Sequence, residues 1–229
     1  MNKEILMDSD EKDVLAPYRA ILASKTVDLA CKYVFDRVMA LILIILFSPL
    51  LLFFAIWIKL DSSGPVFYRQ ERITQHGRKF RIYKFRTMVA DADKKGSLVT
   101  VGNDSRITRV GSLIRKYRLD EIPQLLNVLA GDMSFVGVRP EVEKYTNCYT
   151  DEMNATLLLP AGITSPASIA YKDEDRLMEK YMALGMTADE AYVQKVLPAK
   201  MVYNLDYIRT FSFWNDLRIM VQTVVKVVK

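Results

Sequence analysis

The stretch VMALILIILFSPLLLFFAIWI, residues 38–58, governs how the rest of the chain is read. Of its 21 residues only Ser48 and Pro49 are not apolar. A straight helix of this length reaches about 30 Å, the thickness of the bilayer hydrocarbon. It begins too far from the first residue for an ordinary signal peptide, so a single-pass anchor is the plain reading. Two features favour a different one. Pro49 lies near the middle, where it removes a backbone donor and crowds the preceding turn, which predicts a kink. Ser48 beside it can bond back to the carbonyl that the proline frees. The flanks carry more weight. Lys32 and Arg37 precede the run, and Lys59, Arg69 and Arg72 follow it. Positive charge marks the cytoplasmic side, and here it stands at both ends. A re-entrant segment broken at Ser48-Pro49, returning to the face it entered, satisfies both flanks.

Outward from this segment, residues 14–32 read as a helix with mixed faces lying at the interface. TFSFWNDLRIMVQTVVKVVK (residues 210–229) joins aromatic and branched residues to Arg218, Lys226 and Lys229. Such a helix suits an anionic membrane surface or, equally, the flank of a core. After the turn cluster DSSGP (61–65), VFYRQERI, TQHGRK and FRIYKFRTM predict a β-hairpin around a glycine-containing connection. ADADKKGSLVTVGNDS (90–105) reads as a loop. Thr108 heads a helical stretch, RVGSLIRKYR, and PQLLNVLA forms a second helix from Pro123 to Gly131, with LDEI between them. Beyond Glu141 the pattern is mainly helical, interrupted by LPAGITSPAS (159–168). The expected class is helix-rich α+β. Residues 1–32 form an interfacial helical segment, 33–60 the re-entrant membrane helix, and 61–229 a small cytosolic domain ending in an interfacial helix.

Composition narrows the chemistry. The chain has 229 residues, 51% hydrophobic and 26% charged, which excludes a disordered protein. Its net charge is only +5, but residues 62–119 hold 14 Lys/Arg against 4 Asp/Glu, so the rest of the chain is acidic. Cys31 and Cys148 cannot build a disulfide framework, and a reducing compartment is the simpler setting. With His76 the only histidine, a zinc site lacks ligands. Any metal rests on oxygen ligands, which points to Mg²⁺. No P-loop and no dinucleotide-binding glycine pattern is present. A membrane segment beside the basic region favours a lipid headgroup or nucleotide phosphate over nucleic acid.

Asp120-Glu121 is the leading candidate for chemistry. Adjacent carboxylates ahead of a helix can bind Mg²⁺ or attack a phosphorus whose charge nearby cations neutralise. Plain helix capping by Asp120 is the bland alternative. Arg115, Lys116 and Arg118 run directly into the pair. Lys84 and Arg86 alternate with Tyr83 and Phe85 on a strand, so they share a face suited to phosphate, or a merely solvated one. Arg139, between Gly137 and Pro140, suits a bidentate phosphate clamp or a structural ion pair. Gln124 and Asn127, three apart on a helix, share a face that can line the same cleft. The loop 160–168 offers no chemistry by residue type.

KFRTM (84–88), LDEIPQLLNVLAGDMSFVGVRPE (119–141), PAGIT (160–164) and the Ser48-Pro49 break together resemble the bacterial sugar transferase family, the monotopic phosphoglycosyl transferases, from about Lys32 onward. The resemblance implies transfer of a sugar-1-phosphate from a UDP-sugar to undecaprenyl phosphate, with release of UMP, as the first membrane step of glycoconjugate assembly. It implies Asp120 as nucleophile, a covalent aspartyl-phosphosugar intermediate, Glu121 as metal ligand or positioning group, Mg²⁺ at the dyad, and Arg139 on phosphate. The expected setting is the cytoplasmic face of the bacterial inner membrane, in the minimal form without a large N-terminal domain. Downstream glycosyltransferases are the expected takers of the product. The sequence departs from the pattern at Ile73-Thr74, at Val138 before Arg139-Pro140, and at SPASIAYKDEDRL after PAGIT, which leaves the sugar open. The competing reading is a non-enzymatic membrane scaffold whose basic hairpin (Arg69, Arg72, Lys84) binds acidic lipid or a partner.

Overall fold

The computed structural model describes residues 13–90, 92 and 104–228, so most of the loop expected at 90–105 lies outside the described residues. The N-terminal stretch forms α1 (Ala16–Ala23) and, after a turn at Ser24-Lys25, α2 (Thr26–Asp61). The hairpin follows as β1 (Phe67–Ile73) and β2 (Lys79–Phe85), antiparallel, with Phe67 opposite Phe85 and Ile73 opposite Lys79. Its connection is tight because His76 and Gly77 both take positive φ. Then come α3 (Arg109–Lys116), a 3₁₀ turn (Leu119–Gln124), α4 (Leu125–Ala130) and β3 (Met133–Val136). Beyond lie α5 (Glu143–Thr146), β4 (Ala161–Thr164), α6 (Pro166–Ala170), α7 (Glu174–Ala183), α8 (Ala188–Ala191), α9 (Leu197–Arg209) and α10 (Phe213–Val228).

The class is the expected helix-rich α+β, with a second sheet that the sequence pattern did not signal. β3 and β4 pair in parallel, Met133 opposite Ala161 and Val136 opposite Thr164. Every residue of β3 is buried, so no alternation marks it, and four-residue strands leave little periodicity to detect. The PAGIT motif therefore has a backbone role. A Cβ on Gly162 would stand 2.1 Å from the amide nitrogen of Gly137, and facing glycines let the two strands close up. Gly137 N–H donates to the Thr164 carbonyl, and Gly162 N–H to that of Val138.

The main core gathers Tyr18 and Leu22 of α1, Ala40 of α2, Phe80 and Ile82 of β2, Leu125 and Val128 of α4, β3, and Tyr207, Ile208 and Ile219 from the C-terminal helices. A second cluster joins Phe54 and Ile58 of α2 to Phe85, Val110 and Ile114. α1 and the first half of α10 thus pack on the core. The later α10 valines, Val221, Val224 and Val225, stay exposed.

α2 is helical without interruption through Pro49, a single 36-residue element rather than two helices parted by a break. Ser48 makes this tolerable: its hydroxyl donates at 2.8 Å to the Ile45 carbonyl, the acceptor that Pro49 cannot satisfy. Lys32, Asp36, Ala40, Phe54 and Ile58 form a buried stripe. The opposite side exposes Val38, Leu41, Ile42, Ile45, Leu46, Leu52, Phe53 and Ile56. By length and composition α2 is apolar enough to cross a membrane. Its first half nevertheless packs on the main core, and its last turns on Phe85 and α3. The N-terminal half is fixed by a buried network. Lys32 Nζ donates to Asp216 at 2.6 Å and to the Val136 carbonyl at 2.7 Å, and the Tyr207 hydroxyl donates to Asp216 at 2.8 Å.

Candidate active site

The candidate site forms where the chain leaves α3. Thr108 caps that helix by accepting from Gly111 N–H, and Tyr117 ends it. Arg118 then adopts φ 53°, ψ 27°, a left-handed conformation that costs a residue with a side chain about 1–2 kcal/mol. This reversal feeds directly into the 3₁₀ turn, whose first turn carries Asp120 and Glu121. Strained backbone beside a dyad is a recurrent mark of functional positions. LDEI is therefore a turn of helix rather than a connector, and α4 starts at Leu125 instead of Pro123. No side chain caps either helix, so capping does not account for Asp120.

The two carboxylates have unlike surroundings. Glu121 Oε1 accepts from Lys84 Nζ at 2.8 Å and from Arg139 Nη2 at 2.6 Å. Burial alone pushes the Glu121 carboxyl up, but the Arg139 and Lys84 charges and hydrogen bonds outweigh it and hold it well below the usual carboxylate range. The Asp120 carboxylate makes no hydrogen bond or ion pair among the described residues. Burial raises its pKa, opposed chiefly by Lys84 and assisted by the neighbouring Glu121 charge, with Arg115 and Arg139 pulling it down. Lys84 is lowered by its own burial. The result is one carboxylate fixed between two cations and a second that is partly desolvated, within their field, and ungripped.

Lys84, Arg139, Asp120 and Glu121 are thus brought together, with Arg115 near enough to act on Asp120 through its charge. Other sequence candidates are placed elsewhere. Arg86 lies just past β2 and clamps the exit of α2, donating to the Ser62 and Ser63 carbonyls, both at 2.7 Å, and to the Ser62 hydroxyl at 2.9 Å. It does not share a phosphate-facing surface with Lys84, because the strand has ended and the turn at 62–64 offers it acceptors. Asn127 does not line a cleft. It accepts from Tyr83 N–H at 2.8 Å and donates to the Arg81 carbonyl at 3.0 Å, pinning α4 to β2. Gln124 is buried beside it, and its amide nitrogen has no partner among the described residues. Arg118 contributes its backbone reversal, while its side chain is exposed. Two of the three cations that the scaffold reading requires, Arg72 and Lys84, are engaged inside the protein, by the Pro140 carbonyl and by Glu121.

On the far side of Arg139 lies a cavity of about 150 Å³ bounded by Arg72, Arg139, Glu141, Glu174, Tyr192 and Lys200. Of these, local sequence marks Arg139 as a phosphate residue, Arg72 as part of the basic hairpin and Glu141 as its neighbour in VRPE, whereas Glu174, Tyr192 and Lys200 come from segments far apart in the chain.

Among the described residues no group of three or more His, Cys, Asp or Glu is poised to hold a metal. Mg²⁺ does not require one, since it is commonly held by one or two carboxylates together with substrate phosphate oxygens and water. Asp120 and Glu121 fit that donor set, whereas they are too few for an all-protein cage.

The family model described as bacterial sugar transferase matches residues 27–229. A UDP-N-acetylgalactosamine-undecaprenyl-phosphate N-acetylgalactosaminephosphotransferase of Aeromonas hydrophila is 36% identical over 192 residues, 82% of this chain and 41% of that protein. UDP-glucose:undecaprenyl-phosphate glucose-1-phosphate transferases of Xanthomonas campestris pv. campestris and Caulobacter vibrioides are 36% and 38% identical over 84% of this chain, covering 37% and 68% of their own lengths. The chain therefore spans about two fifths of the Aeromonas and Xanthomonas relatives.

Proposed function

Because the chain belongs to the bacterial sugar transferase family, we propose that it moves a sugar-1-phosphate from a UDP-sugar to a polyprenyl phosphate and releases UMP. The observation that carries this reading is the division of labour in the dyad. Glu121 anchors Lys84 and Arg139 in place, and Asp120 beside it keeps an unbonded carboxylate within their field. Phosphoryl-type transfer depends on positioning and charge neutralisation more than on acid-base groups, so a single distant histidine is no obstacle.

In the first half-reaction an Asp120 carboxylate oxygen attacks the sugar-bearing phosphorus of the donor. The new bond is an acyl phosphate, the bond to the bridging oxygen breaks, and UMP departs with that oxygen. Arg139 and Lys84 neutralise the charge gathering on the phosphate oxygens. A polyprenyl phosphate oxygen then attacks the same phosphorus, the Asp120 carboxylate leaves, and the product is a polyprenyl diphosphate sugar. Mg²⁺, held by Asp120 and Glu121 with the diphosphate, would supply further charge neutralisation when bound. Partial desolvation of Asp120 makes it a more basic, better nucleophile than a surface aspartate.

The same reading places the protein on the cytoplasmic face of the inner membrane, with α2 bent at Ser48-Pro49, though still helical through it, so that it enters and leaves by one face. Cations on both flanks of the apolar run support this, as does packing of both ends of α2 against the same domain, which a straight crossing would separate. The test is exchange of labelled UMP into the UDP-sugar pool by purified protein with Mg²⁺ and no lipid acceptor. Exchange that is abolished in Asp120→Asn is the expected result. Product formation from undecaprenyl phosphate without any exchange would mean direct transfer in a ternary complex and would overturn the covalent step.

A further inference from the structure

We propose that the cavity beyond Arg139 is the subsite for the sugar ring of the donor, and that Glu174, Tyr192 and Lys200 read its hydroxyls. This rests on the transfer reading above. The first support is position. Arg139 touches Glu121 with Nη2 and also lines the cavity, so dyad and cavity are joined by one guanidinium. In the proposed reaction the phosphorus at the dyad carries the sugar through a single oxygen, which puts the sugar within reach of the space that Arg139 lines.

The second support is room: a cavity of about 150 Å³ admits several waters, and hence a six-membered ring with its hydroxyls.

The third is the lining. Glu141 accepts from the Tyr192 hydroxyl, Lys200 Nζ donates to Glu174 at 3.0 Å and lies 3.5 Å from the Tyr192 hydroxyl, and Arg72 uses Nη1 on the Pro140 carbonyl and Nη2 on Gln70. Arg72 Nε is buried and has no partner among the described residues. Acceptors and donors thus alternate around a small space, which suits hydroxyls, each able to give and accept a hydrogen bond. The rings of Tyr145 and Tyr192 pack on each other with centroids 4.7 Å apart, so they offer no open sandwich for a base. Glu174, Tyr192 and Lys200 lie outside the LDEIPQLLNVLAGDMSFVGVRPE segment that carries the dyad.

The test is equilibrium binding to the full chain in nanodiscs, carrying Asp120→Asn to prevent turnover. UDP, UDP-glucose, UDP-galactose, UDP-N-acetylglucosamine and UDP-N-acetylgalactosamine are the probes. Glu174→Gln and Tyr192→Phe are the variants, each checked for an unchanged circular dichroism spectrum. The expected result is a change of about tenfold in the spread of affinities among the four sugars, with UDP held within twofold. Loss of UDP affinity in step with all four sugars would assign the cavity to the nucleotide. Unchanged affinities throughout would show that it is no part of the donor site. Binding is measured apart from chemistry, so a protein that discriminates sugars as expected but forms no product from undecaprenyl phosphate when Asp120 is intact keeps the subsite and loses the transfer reading.

Discussion

The adjacent carboxylates of the dyad should have opposite effects on stability, and this can be measured without any substrate. In Glu121→Gln the anion between Lys84 and Arg139 disappears. At 2.6–2.8 Å and an effective dielectric of about 20, each contact has a gross attraction of roughly 6 kcal/mol. Desolvation of the three groups offsets most of it, and removing one partner of such a cluster costs about 3–5 kcal/mol net. Glu121 and Lys84 side chains keep 14% and 19% exposure, but Arg139 keeps 34% and its share is screened. We expect the low end, about 3 kcal/mol, which lowers Tm by about 6–12 °C for a chain of this size. Asp120→Asn should do the reverse. Its carboxylate is partly desolvated without a hydrogen bond, so replacing it should stabilise by about 1 kcal/mol, or about 2–4 °C, while abolishing UMP exchange. The pH dependence separates the two further. The folded-state pKa of Asp120 is raised, so the gain in Asp120→Asn is present at neutral pH and fades as pH falls through that pKa. Glu121 is depressed, so the loss in Glu121→Gln persists until pH drops below the ordinary carboxylate range. Thermal unfolding in detergent, at neutral pH and near pH 5, reads all four quantities. A Tm for Asp120→Asn that falls alongside that of Glu121→Gln would refute the division of roles.

The exchange rate itself should show an acid limb. In the proposed reaction Asp120 must be ionised to attack, and its pKa is raised by burial, so the rate should begin to fall at a pH above the ordinary aspartate range. A rate flat through that range would contradict this. Lys32→Met should cost about 3–5 kcal/mol by stranding Asp216, since the two side chains are only 2% and 5% exposed; denaturant titration checks it. Gly162→Ala should lower stability by at least about 1–3 kcal/mol, because the added methyl meets the Gly137 backbone, and Gly77→Ala, which has no atom within 4 Å of its Cβ, provides the contrast of turn strain alone.

Much of this protein was legible one segment at a time. The apolar run 38–58 declared a helix, the alternation of aromatic and basic residues on either side of TQHGRK declared a hairpin, and LDEIPQLLNVLAGDMSFVGVRPE declared the dyad. Each is a local signal: hydropathy, a period of two, or a string of adjacent residues. The pairing of Ser48 with Pro49 could also be foreseen, since the hydroxyl reaches a carbonyl three residues back. What lay hidden depended on partners distant in sequence. Lys84 and Arg86 look equivalent in KFRTM, yet one reaches Glu121, 37 residues away, and the other the turn at Ser62, because the strand ends between them. Asn127 looked like a cleft residue until its amide was found satisfying two backbone groups of β2. The β3–β4 pair gave no pattern because both faces are buried, and the cavity beyond Arg139 is assembled from residues 72 to 200. Which residues carry charge and apolar surface, and where two carboxylates stand side by side, is written in the order of the chain. Which cation each anion meets is not, because a buried charge must find a partner, and which one lies within reach is settled by packing rather than by neighbourhood in the chain.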